Sequence, residues 1–578
     1  MTTETPSGHT TEDGITHTTV NGIRTVLAPG SGPVTAGLLF RVGRADETLA
    51  TSGVTHLVEH LALHHHGLSD LHYNGATAST YTHFHVTGTP ADVAEYLNGV
   101  CAALRNLPLH RLATEKEILR TEAAHRSQGP AHDMPLWRYG SRGYGLTSYG
   151  ESGLHRLTPA DVHDWAATWF TAENAVLWIT SDTLPEGLDL TLPTGQWRPA
   201  PQPTSALPTT PAYFRGPDGV AVLTSVIPRS TAGSLFAELL GRELFRELRQ
   251  KGGYSYTAAA DYSPRDTDWA TLTAYADALP EKQDAMIGAF VDVLAKLRAG
   301  RIEQADLAAV RTSVLSQFDH PEPAMAKLPS EAMNLLLRHP SLSYAESRAE
   351  IEAVTVADLQ RIAREVWASA LMQVPGRGVD WAGLTEAPTG SEDFVTGRRY
   401  SAVEDRDTTL LVAHDGLSVV RPNCRLTVRY AECSLMQVYP DGGRHLVGHD
   451  GFSITVEPTL FGITAAELAP VDAGVPPAVV VRMPPRDPSR IPQPRPAAAA
   501  APKGPQPREA WLTAVLWLLG IPALLSGAFA AIAALAMVSE PDAQGSDEWE
   551  GLVIIWILAA VFLIPWAVLL RRRQRGLG

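Results

Sequence analysis

The chain has only three cysteines in 578 residues, Cys101, Cys424 and Cys433. They are too few and too scattered for a disulfide framework or a thiolate metal site. Positive charge is also short: 47 Lys and Arg stand against 62 Asp and Glu, a net charge of -15, which excludes nucleic acid as an expected partner. The opening MTTETPSGHTTEDGITH has neither a basic start nor an apolar run, so no secretory signal is expected there and the N-terminal region is expected in the cytoplasm. What the sequence has instead is histidine, 20 in all, clustered between His56 and His85.

The pattern of apolar residues predicts mixed α/β structure at the N-terminal end. Strands are expected over Ile15–Leu27, Val34–Val42 and Thr77–Gly88, and helices over Ser52–His64, Pro90–Asn106 and Ala113–Arg126. An internal echo follows. TPADVHDWAATWFTAENAVLWITSD from Thr158 and TVADLQRIAREVWASALMQVPG from Thr355 each open with a Thr cap and an acid at the fourth position. Each then runs through an amphipathic helix into an apolar strand, which predicts two related domains joined near Arg198–Pro211. The expected organisation is a tail over 1–12, α/β-sandwich domains over 13–200 and 201–378, and a small β-rich domain over 392–483. A pleckstrin-homology-like barrel is the expected form of that last domain. The fold class is therefore α+β.

A Pro/Ala-rich linker follows over 484–508, then two apolar runs, Ala510–Val538 and Gly551–Leu570, within a predicted transmembrane hairpin at 509–571. The intervening EPDAQGSDEWE is acidic and RRRQR follows the second run, so the lipid bilayer is an expected partner. Two spans, with both termini cytoplasmic, are the expected topology at the cell membrane.

HLVEH, residues 56–60, is the chemical centre of the sequence. Positions i and i+4 share a helix face, so His56 and His60 can reach one ion, and Glu59 lies beside it as a candidate general base for metal-bound water. A hydrolytic zinc site needs a third protein ligand and one open position. Glu115, Glu117 and Glu122, on the helix predicted after Ala113, are the candidates.

H-x-x-E-H resembles the motif of the pitrilysin/insulinase family of zinc peptidases, the inverzincins, which includes the mitochondrial processing peptidase. The resemblance covers about residues 12–375. It implies that Glu122 is the third ligand of one Zn2+ per chain and that Glu115, seven positions earlier, supports it. It further implies that Asn74, Gly75, Ala76 and Thr77 form the edge strand that holds an extended peptide substrate. LFRELRQKGGYSY is similar to that family's Arg-x6-Tyr segment, which gives Arg249 and Tyr256 the role of orienting substrate and stabilising charge. The family builds its sites from four such domains and this chain has two, so a homodimer or a heterodimer with a related chain is implied. The expected activity is that of a membrane-tethered zinc metalloendopeptidase. The alternatives are a non-catalytic scaffold of the same fold and a membrane-anchored binding or regulatory protein. Only thirteen residues separate His60 from Asn74, and they include His64, His65, His66 and His72, expected to be solvated loop residues.

Overall fold

The structure, a computed structural model, describes residues 9–64, 72–125, 128–316, 318, 322–405 and 407–494. The predicted membrane hairpin, most of the linker before it, and His65 and His66 lie outside the described residues. Among the described residues no helix is long and apolar enough to cross a membrane.

The first sheet comprises β1 (His9–Thr10), β2 (Thr16–Val20), β3 (Ile23–Leu27), β4 (Val34–Phe40), β5 (His72–Thr77), β6 (Thr82–Gly88) and β7 (Ala175–Ile179), in the order β1-β2-β3-β7-β4-β6-β5. Two of its strands differ from expectation. Ile15–Leu27 is a hairpin rather than one strand, because Asn21 (φ 47) and Gly22 (φ 87) both take the left-handed conformation that a two-residue turn requires. Thr77–Gly88 likewise breaks at residues 78–81, which places Asn74–Thr77 on its own strand, β5, at the sheet's edge.

The second sheet is formed by β8 (Ala212–Arg215), β9 (Val220–Pro228), β10 (Ala258–Pro264), β11 (Trp269–Asp277), β12 (Leu371–Val374) and β13 (Thr385–Glu386), in the order β10-β11-β9-β12-β8-β13. Its β10-β11-β9-β12-β8 run repeats the β5-β6-β4-β7-β3 run of the first sheet. The senses match as well: the central pairs β4·β7 and β9·β12 are antiparallel, and β3·β7 and β8·β12 are parallel. The two echoed segments occupy equivalent places, as the capped helices Pro159–Trp169 and Val356–Ala368 leading into β7 and β12. The halves are interlocked. The helix Pro323–Leu337, from the second half of the chain, lays Leu328, Ala332 and Leu336 against Val26, Leu39, Val176 and Trp178 of the first sheet.

Two four-stranded sheets follow. One runs β14 (Arg398–Ser401), β15 (Thr409–Val412), β16 (Gly416–Arg421), β17 (Cys424–Arg429); the other, of β18 (Cys433–Val438), β19 (Arg444–Gly448), β20 (Ser453–Val456) and β21 (Val480–Arg482), has the order β20-β19-β18-β21. They share one core with the helix Ala465–Gly474, built from Leu417, Val428, Met436, Leu446 and Leu468.

Candidate metal centre and substrate edge

Three helices carry the first domain's polar cluster: α1 (Val54–Leu63), α2 (Pro90–Arg105) and α3 (Leu112–His125). Val54, Leu57, Val58, Leu61 and Ala62 bind α1 into the core, and the same spacing brings His56, Glu59 and His60 together. Gly53 starts the helix with φ 93, and a Cβ there would lie 2.9 Å from the Cβ of Glu151, so conformation and space both demand glycine. The first amides of α1 are held by Glu47, whose two oxygens accept from Gly53 N and Thr55 N, each at 2.9 Å. Full burial pushes the Glu47 carboxyl up to about 7, against the pull of those two donors.

Both imidazoles are gripped on their Nδ1 side by carboxylates. Glu151 places Oε1 at 3.0 Å and Oε2 at 3.3 Å from His56 Nδ1, and Glu115 places Oε2 3.6 Å from His60 Nδ1. Arg111 Nη2 in turn donates to Glu115 Oε1 at 3.0 Å. A carboxylate on Nδ1 fixes the ring's orientation and makes Nε2 the atom that could take a metal. Those two Nε2 atoms face one residue: Glu122 Oε2 is 3.8 Å from that of His56, and Oε1 is 3.5 Å from that of His60. Two ligands bound tetrahedrally at about 2.05 Å lie about 3.3 Å apart, and the two His–Glu122 distances are a few tenths of an ångström longer than that.

Among the described residues, the three side chains whose donor atoms all lie within 4.8 Å of one another are His56, Glu59 and His60, a group without Glu122, whose side chain is 42% exposed. Glu59 is otherwise engaged: Thr77 Oγ1 donates to its Oε2 at 2.5 Å, and β5 runs directly against its Oε1. Glu122, which faces both Nε2 atoms, could serve as a third donor. Burial raises the pKa of Glu59, opposed by His56 and by the Thr77 bond. Burial, followed by the neighbouring His56, lowers that of His60.

The edge strand is fastened to this cluster. A Cβ on Gly75 would stand 2.5 Å from Glu59 Oε1, and Tyr96 Oη donates to the Asn74 carbonyl at 3.1 Å. Asn74 and Ala76 are exposed, and among the described residues β5 pairs with β6 alone, which leaves its other edge for a further strand.

Arg249 and Tyr256 are paired with each other. The helix Thr231–Leu244 continues as a π-helical segment over Phe245–Lys251, and the Arg249 Cζ lies 5.1 Å from the Phe245 ring and 5.0 Å from the Tyr256 ring. Tyr256 is 77% exposed, its backbone held by Asp277 Oδ1 at 2.9 Å. Among the described residues, no hydrogen bond, ion pair or ring contact joins either to His56, His60 or Glu122. Glu117 points to solvent beside Arg120. His64 lies 6.4 Å, ring to ring, from His110.

Sequence reasoning missed Glu151 and Glu47. Glu151 lies 95 positions beyond His56 in the turn SYGESG, which has no periodicity to report on burial. The only available signal was an acid flanked by glycines at 150 and 153.

Residues 156–314 match a family model described as "Peptidase M16 inactive domain". Among solved structures, a protease from Helicobacter pylori is 17% identical with a TM-score of 0.52, over 64% of this chain and 100% of that one. The M16 inactive domain from Pseudomonas fluorescens is 15% identical, also at 0.52, over 67% and 100%. The periplasmic protease PqqL from Escherichia coli is 14% identical with a TM-score of 0.51, over 72% of this chain and 56% of that one. No curated protein matches. Identities this low speak to fold alone: the chain carries a mixed α/β, M16-like peptidase fold.

Proposed function

We propose that the chain is a zinc metalloendopeptidase acting on extended or unfolded peptide segments. One observation carries this reading: two imidazoles, each braced on Nδ1 by a carboxylate, turn both Nε2 atoms toward Glu122 beside a buried Glu59. His56, His60 and Glu122 are the ligands in this reading. When bound, zinc supplies a Lewis acid that polarises a carbonyl and makes water nucleophilic near neutral pH. Glu59, its proton affinity raised by burial, accepts a proton at its carboxylate and returns it to the leaving amine. Thr77 Oγ1 holds that carboxylate in place, and the open edge of β5 binds the substrate backbone as an added strand. Arg249 and Tyr256, both exposed and joined to the cluster by no contact among the described residues, fit a site completed by a second chain. The two C-terminal apolar runs support a membrane tether.

The scaffold alternative draws on the word "inactive" in the matched family model. That match spans residues 156–314 and includes none of His56, Glu59, His60 and Glu122. The experiment is metal analysis and cleavage of a mixed peptide library by wild type, E59Q and E122Q. The expectation is one zinc per wild-type chain, loss of zinc in E122Q, and in E59Q zinc retained with cleavage reduced about 10²–10⁴-fold. Wild type that holds zinc yet cleaves nothing would favour the scaffold.

A further inference from the structure

The β-rich domain after residue 397 stands apart from the peptidase-like halves in sequence, yet its second sheet is built onto the two segments that flank the metal cluster. Leu49 and Ala50, just before α1, and Leu146, just before the Glu151 turn, form one buried cluster with Leu435 of β18, Val447 of β19 and Val481 of β21. Each of the six is at most 3% exposed. Polar contacts run along the same seam. Gln437 Nε2 donates to Ser152 Oγ at 3.0 Å, one residue from Glu151, and Arg156 donates to the Ala478 carbonyl. At the other end of the loop, Ser141 Oγ lies 2.6 Å from Ser434 Oγ and 2.7 Å from the Gly448 carbonyl.

The Glu151 turn is thus held between two surfaces. On one side, Gly153 N donates to Ser52 Oγ at 3.2 Å, and a Cβ on Gly153 would come within 2.4 Å of Ser52 N. On the other lie β18 and β21. Glu151 caps a single 3-10 turn, Ser152–His155, too short to fix its own place on the surface, so its position depends on such neighbours, and the Glu151–His56 contact of 3.0 Å depends on the turn.

We propose that the β-rich domain is a positioning element of the metal centre: Leu435 and Gln437 act through the Glu151 turn to hold His56 Nε2 on the ion. This rests on the zinc reading above. It also means that the domain is not a separable binding module, because removing it would lay bare Leu49, Ala50 and Leu146.

The test uses the full chain and two readouts independent of turnover: zinc affinity by chelator competition, and amide hydrogen exchange of residues 150–156 in the metal-free protein. L435A and E151A should each weaken zinc binding about 10–100-fold, the range for lost orienting partners. The double variant should be little weaker than E151A alone, since both act through one turn. L435A should speed exchange at 150–156, and V419A, a similar truncation in the domain's other sheet, should leave affinity and exchange as in wild type. If L435A fails to fold, Q437A with S141A takes its place. Wild-type affinity and exchange in the seam variants, or additive losses in the double variant, would overturn the proposal. Were the wild type to bind no zinc, the zinc reading would fail, and unchanged exchange in the seam variants would then sink the brace separately.

Discussion

Gly75→Ala probes the contact between the substrate edge and the candidate base with a single methyl group. The new Cβ would stand 2.5 Å from Glu59 Oε1, 2.8 Å from its Cγ and 2.9 Å from its Cδ. Ordinary contact needs nearly 1 Å more, so either β5 lifts away or Glu59 swings. Swinging breaks the 2.5 Å bond from Thr77 and leaves a carboxylate at a residue only 4% exposed without its donor. Overpacking of this kind costs about 1–3 kcal/mol of stability. A displacement of about 1 Å in a reacting group costs about 10²-fold in rate, or about 2.7 kcal/mol of barrier. The three atoms nearest the methyl all belong to Glu59 and none to the proposed ligands His56, His60 and Glu122, so zinc content should hold. The assay is kcat/KM on a cleaved peptide beside zinc stoichiometry and thermal unfolding. A G75A protein with wild-type kcat/KM would refute the idea that Glu59 works from the position seen against β5.

Three further outcomes follow from the same geometry. E47Q replaces one acceptor of a helix-start amide by an amine that cannot accept, which should cost about 1–3 kcal/mol at low pH by denaturant unfolding. Because the folded-state pKa of Glu47 is raised from 4.5 to about 7, its protonated form contributes stability fully present below 4.5 and lost as pH rises through 7; wild type should therefore fall by up to about 3 kcal/mol relative to E47Q over that window, and a flat difference would contradict it. E117A should leave zinc binding and cleavage unchanged, since its side chain is 72% exposed and away from both imidazoles; a loss of zinc would reopen the choice of ligand on α3. Mixing E59Q with R249A chains should restore one site of the two in each mixed dimer; absence of any recovered cleavage would count against sharing between chains.

What the sequence disclosed was what repeats. His56, Glu59 and His60 follow helical spacing, Glu115 and Glu122 lie two turns apart on α3, and the echo at Thr158 and Thr355 marks equivalent helix–strand units in two sheets of matching order. What it hid is held by contacts without a period. Glu151 and Glu47 reach α1 from a turn and a short connecting segment, and the left-handed Asn21–Gly22 pair turned an expected strand into a hairpin. The π-helical stretch at Phe245–Lys251 has the residue pattern of ordinary helix, because one widened turn changes backbone bonding without changing composition. Leu328 and Leu336 read as the apolar face of any helix, and only the tertiary arrangement assigns that face to the other half's sheet.

The central claim is that His56, His60 and Glu122 bind one zinc ion, and X-ray absorption of zinc-loaded wild type and E122Q tests it most directly. The account predicts two imidazole nitrogens at about 2.0–2.1 Å with oxygen completing a four-coordinate shell in wild type, and a changed or absent shell in E122Q. Identical spectra for the two proteins, or a wild-type shell without imidazole scattering, would contradict it.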